Sequence, residues 1–95
     1  MPLVYILYSK IIDHYYIGYT IDTIENRIKK HTSNFYKNKY TAQAKDWELY
    51  LKIDCETNDQ ARRIENHIKK MKSRKYITDL FKYPEIIINL LKKYR

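Results

Sequence analysis

Apolar and polar positions along this chain fall into segments of two periods. Leu3 to Tyr8 reads Leu-Val-Tyr-Ile-Leu-Tyr, a short unbroken apolar run rich in β-formers, and predicts a buried strand. Ser9 to Asp13 supplies a turn, and His14 to Tyr19 reads as a second strand, so the short connection favours an antiparallel hairpin. Asp22 then opens a helix, with Glu25 three residues on as in a capping box and Ile21, Ile24 and Ile28 on one side. This helix is expected to run to about Ser33. Asn34 to Lys39 reads as an exposed loop, and Tyr40 to Lys45 as a short helical turn.

Trp47 to Asp54 alternates. Trp47, Leu49, Leu51 and Ile53 are expected to point one way and Glu48, Tyr50 and Lys52 the other, as in a half-buried third strand. Thr57 or Asn58 caps the next helix, whose apolar positions are Ala61, Ile64, Ile68 and Met71. Ser73 starts another helix carrying Ile77, Leu80 and Phe81. Pro84 fits the first turn of a last helix, about 84–94, with the stripe Ile86, Ile87, Leu90, Leu91 and Tyr94. The order β-β-α-β-α-α-α predicts an α+β fold, a three-stranded antiparallel sheet flanked by helices. At 95 residues, with 44% hydrophobic residues, one Gly and two Pro, the expectation is one domain over 1–95 with a modest core.

Charge sharpens this picture. Nineteen Lys and Arg against eleven Asp and Glu give a net charge of +8. A basic domain attracts polyanions, of which nucleic acid is the commonest, although the same charge also aids solubility. The single cysteine, Cys55, excludes an internal disulfide and fits a reducing cytoplasm. No apolar run is long enough to span a bilayer, and the first residues do not read as a signal peptide, so no membrane contact is expected. The chain lacks a paired Cys/His array for zinc, a Gly-rich phosphate loop and a His-Glu-x-x-His helix. Cys55 with His31 or His67 could suggest a thiol nucleophile, but a small packed residue after a strand is the simpler reading.

Some polar residues stand out by position. At 3.6 residues per turn, His31 lies close to the Ile21-Ile24-Ile28 stripe and Arg27 at its margin, four residues apart and therefore neighbours. A cation at the edge of a buried face is paired, snorkels to water, or is aimed at an anion such as phosphate. Glu65 sits beside the Ala61-Ile64-Ile68 stripe in a helix dense with cations. It can pair with Lys69 one turn later, or offer an oxygen ligand to a hard divalent ion.

Tyr16-Ile17-Gly18 reproduces one half of a known two-part signature. Val4-Tyr5-Ile6 stands about ten residues earlier where the other half is expected. With Thr20, Arg27, His31, Tyr40-Thr41, the third strand and Glu65 following in order, residues 3–75 resemble the GIY-YIG nuclease family. The small stand-alone bacterial members, similar to the nuclease domain of the UvrC repair protein, look closest.

The resemblance implies a metal-dependent endonuclease acting on DNA, in repair or recombination. Tyr5 or Tyr16 would take the proton from the attacking water, with the choice left open. Arg27 would meet the phosphate and His31 would help in proton transfer or phosphate contact. Glu65 would hold one Mg²⁺ or Mn²⁺. Gly18, Tyr40, Lys39 and Lys69 would lie against substrate, with the basic stretches 37–45 and 69–75 gripping the backbone. Specificity would come from a homodimer or a partner protein.

The other reading of the tyrosines is packing, with a hydroxyl bonded to backbone. Gly18 is expected to let the backbone approach a helix or the substrate. The chain departs from the family at Val4, which replaces Gly, and near Ile77, where a late Asn has no clear match. The last helix lies outside the motif. Two other functional classes stay open: a non-catalytic nucleic-acid-binding module that keeps the fold, and a structural domain that oligomerises through its C-terminal stripe.

Overall fold

A computed structural model describes residues 2–21 and 45–95. The helix expected over 22–33, the loop after it and nearly all of the turn at 40–45 lie outside the described residues. So do Arg27, His31, Lys39 and Tyr40. The described chain runs β1 (Leu3–Ser9), β2 (His14–Thr20), β3 (Glu48–Asp54), α1 (Asn58–Met71), α2 (Arg74–Lys82) and α3 (Pro84–Lys93). The three strands form one antiparallel sheet in the order β2-β1-β3, and the fold is α+β.

The central place of β1 explains its unbroken apolar sequence, because both of its faces are covered. Val4 and Ile6 join Ile53, Cys55, Ala61, Ile64, Ile68, Ile77, Leu80 and Leu90 in the larger core, under the helices. Leu3, Tyr5 and Leu7 join Trp47 on the opposite face, with Ile12 and Tyr16 packed against them.

The third strand departs from simple alternation. Ile6 pairs with Leu51 but Leu7 pairs with Leu49, so Tyr50 is an extra residue inserted into the ladder. Such a bulge exchanges the faces on either side of it. Trp47 therefore packs on the Tyr5 face while Leu51 and Ile53 pack under the helices, and Leu49 is left 39% exposed. The expectation that all four point one way is corrected. So is the burial expected of Ile21, which is 70% exposed where β2 ends, and of Met71 and Phe81, both exposed. Phe81 instead packs its ring against Tyr50, at 5.2 Å between centroids.

Local signals set the helix ends as expected. The Thr57 hydroxyl accepts from the Gln60 amide and the Ser73 hydroxyl from the Tyr76 amide, each at 3.1 Å. Pro84 stands in the first turn of α3. Between α1 and α2, Lys72 adopts the left-handed conformation, φ 47°. The basic stretch 69–75 is therefore broken across two helices.

The last helix is tied to α1 by polar contacts as well as by Leu90. Gln60, buried, donates from Nε2 to the Leu91 carbonyl at 3.0 Å. The His67 ring lies between two tyrosines, 2.9 Å from the Tyr94 hydroxyl and 3.1 Å from that of Tyr76. Burial, and then Lys93 and Lys70, push the His67 pKa down, which favours the neutral imidazole in this junction.

The turn between β1 and β2 is held from afar. Asp13 takes a left-handed conformation, φ 52°, which Asp tolerates better than most residues. Its carboxylate receives Arg74 through two nitrogens, at 2.8 and 3.2 Å, and the Tyr8 hydroxyl. These hydrogen bonds, Arg74 first, lower the Asp13 pKa to about 2. A carboxyl with a depressed folded pKa stabilises above its unfolded value and loses that contribution as pH falls through the folded one. In thermal melts, the Tm gap between the parent and Asp13→Asn is expected to be full near pH 5 and to close toward about pH 2. A gap that does not change with pH would mean the ion pair contributes nothing.

Candidate active site at the outer edge of β2

The hairpin puts Tyr5 and Tyr16 on one face of the sheet. Tyr5 pairs with Gly18 and Tyr16 with Leu7, so the two tyrosines are diagonal neighbours, 6.4 Å between ring centroids. Trp47 closes the group, edge-on to Tyr16 at 6.3 Å. The bulge in β3 is what delivers Trp47 to this face, and the sequence carries no local mark of it.

The two tyrosines differ in access. Tyr5 is fully buried, whereas Tyr16 is part-exposed and lines a cleft of about 250 Å³ with Tyr15, Ile17 and Lys69. Choosing between them needs this difference, because both stand on the same face with the same alternation.

Gly18 has a different neighbour from the one expected. A Cβ built there would lie 2.6 Å from the Tyr5 hydroxyl and 2.7 Å from the ring carbon bearing it. The residue leaves room for the Tyr5 ring, and Gly18 itself is buried. Gly18→Ala is expected to destabilise the fold by about 1–3 kcal/mol through overpacking, read as a lower denaturant midpoint. Adding Tyr5→Phe relieves this only in part, since the ring carbon stays. A loss under about 0.5 kcal/mol would mean that the ring moves aside freely.

Glu65 and Lys69 approach from α1. Ala61, Ile64 and Ile68 fix that helix on the sheet and carry Glu65 into a nearly buried position, with its side chain 10% exposed. Lys69, one turn on and 50% exposed, places Nζ 2.5 Å from Glu65 Oε1. Lys69 also lines the Tyr16 cleft, so it links that cleft at the edge of β2 to the nearly buried Glu65 carboxylate behind it. A second cleft, about 170 Å³, continues past Tyr15 and Ile17 to Asp13, His14, Lys72, Ser73 and Arg74.

Several other cations of the helices are paired. Arg62 and Arg63 share Asp59, and Lys75 lies 3.4 Å from Asp79. Among the described residues no three His, Cys, Asp or Glu gather as a metal cluster. A hard divalent ion needs less than that: one carboxylate with several waters and a substrate phosphate suffices for Mg²⁺. Glu65 meets that minimum, and it already holds one exchangeable cation.

Cys55 does not serve as a nucleophile here. It is buried and free, and burial pushes its pKa up, which favours the thiol over the reactive thiolate. No helix among the described residues is long and apolar enough to cross a membrane.

Comparison with curated proteins and with solved structures gives no significant match. Comparison with protein families does: the GIY-YIG catalytic domain matches residues 1–77, which takes in the hairpin, β3, α1 and the start of α2 and stops short of α3. Its span contains both motif tyrosines, Gly18 and Glu65, and on that evidence this chain belongs to the GIY-YIG family of nucleases.

Proposed function

We propose that the chain is a metal-dependent endonuclease that hydrolyses DNA phosphodiester bonds, with little sequence preference of its own. The observation that supports this best is Lys69, which borders the Tyr16 cleft beside the family's hairpin and is paired with the nearly buried Glu65. The proton-accepting role is assigned to Tyr16, a choice supported by its ring bordering the cleft while Tyr5 is enclosed. Tyr5 positions it, as the neighbour packed between Gly18 and Tyr16. Glu65 would hold the divalent ion, Mg²⁺ or Mn²⁺. When bound, such an ion polarises the phosphoryl oxygen and steadies the leaving oxygen. Arg27 and His31 take their phosphate and proton-transfer roles from the resemblance. The net charge of +8 supplies a sequence-neutral, salt-sensitive hold on the backbone.

One observation favours a second reading, a nucleic-acid-binding module without catalysis: Lys69 already neutralises Glu65. The two separate on nicked, branched and linear DNA incubated with and without Mg²⁺ or Mn²⁺. Metal-dependent cutting supports the enzyme. Salt-sensitive binding with no cutting under either metal overturns it in favour of the module.

A further inference from the structure

We infer that Lys69 is a removable counter-ion that couples metal binding at Glu65 to the binding of a nucleic-acid phosphate beside β2. This rests on the proposal that Glu65 holds the metal. The Glu65 carboxylate is nearly enclosed, and its Oε1 is in contact with the Lys69 ammonium. A divalent ion on the same oxygen would stand within a few ångströms of that ammonium, a repulsion that grows as solvent is excluded. A metal on this carboxylate is therefore disfavoured while Lys69 stays on it, and bound more tightly once Lys69 leaves.

The structure gives Lys69 somewhere to go. Its side chain is half exposed, on a flexible four-carbon stem, and it borders both clefts along β2. A backbone phosphate lying in either cleft would be within its swing. The second cleft is lined by Asp13 as well as by His14, Lys72 and Arg74; Arg74 is paired with Asp13, so Lys72 is the cation that favours an anion there. Phosphate draws Lys69 off Glu65, and the freed carboxylate accepts the metal. Without nucleic acid the ammonium returns, and the metal is held weakly. By linkage, the metal tightens DNA binding by the same factor as DNA tightens metal binding.

The test measures binding, not turnover. Mn²⁺ is titrated into the DNA-free protein and the free ion is followed by electron paramagnetic resonance. Lys69→Met is expected to bind Mn²⁺ roughly tenfold more tightly than the parent, through lost repulsion and a lost competing ion pair. Lys69→Arg, which keeps the charge, is expected to behave like the parent, and Glu65→Gln to lose the site. Fluorescence anisotropy then follows a labelled DNA duplex at constant ionic strength, with and without Ca²⁺. The parent is expected to bind DNA more tightly with Ca²⁺, and Lys69→Met to show a smaller gain. Mn²⁺ binding unchanged in Glu65→Gln overturns the metal assignment and this inference together. Binding that needs Glu65 but is no tighter in Lys69→Met overturns the coupling alone. So does an undiminished Ca²⁺ gain in that variant.

Discussion

Glu65→Gln is expected to lower metal-dependent cleavage by about 10³-fold or more. The substitution keeps the shape of the side chain and removes only the charge that holds the cation. Lys69, already half exposed, then turns to solvent at a cost of at most about 1 kcal/mol. The same change raises the net charge from +8 to +9, since one carboxylate is removed. DNA binding without metal is therefore expected to hold or strengthen at low salt while cutting disappears. That opposite movement distinguishes a lost metal ligand from a lost fold, which would weaken both. Cleavage that survives Glu65→Gln at unchanged metal dependence would place the metal elsewhere.

Tyr16→Phe is expected to slow single-turnover cleavage by about 10²–10⁴-fold, the range for loss of a general base. The ring survives, so its packing against Tyr5 and Trp47, at 6.4 and 6.3 Å, is retained and the fold should stand. Tyr5→Phe is expected to do the reverse. Its hydroxyl is enclosed in the sheet, so removing it costs about 1–2 kcal/mol of stability and leaves most of the cleavage rate. The pair is read by rate and by denaturation on the same preparations. A large rate loss in Tyr5→Phe with little change in Tyr16→Phe would exchange the two roles.

Much of this site is legible in the amino-acid sequence. The hairpin tyrosines stand out because strand period and a short connection place them on neighbouring strands. Glu65 and Lys69 are visible as an i, i+4 pair beside an apolar stripe, and the pair forms. What the sequence leaves open is which tyrosine reaches the cleft. That depends on what covers each face, and the cover of Tyr5 includes Trp47, brought across by the bulge at Tyr50. Gly18 is recognisable as a place of close approach, but the approaching group, the Tyr5 ring, follows from the pairing register. Asp13 carries no local sign of its role, because its partner Arg74 stands 61 residues away.

The sequence by itself determined the described elements and their ends. Alternation, 3.6-residue stripes, the caps Thr57 and Ser73 and the proline at 84 act within a few residues, through bonds that local geometry decides. Only the tertiary structure decided the faces and the meeting points. One extra residue in β3 reverses which side chains it sends under the helices, a change that strand period cannot announce. The placing of Lys69, and through it Glu65, beside the Tyr16 cleft likewise depends on how α1 docks. That docking is set by Ala61, Ile64 and Ile68 packing against Val4, Ile6 and Ile53, contacts between residues far apart along the chain.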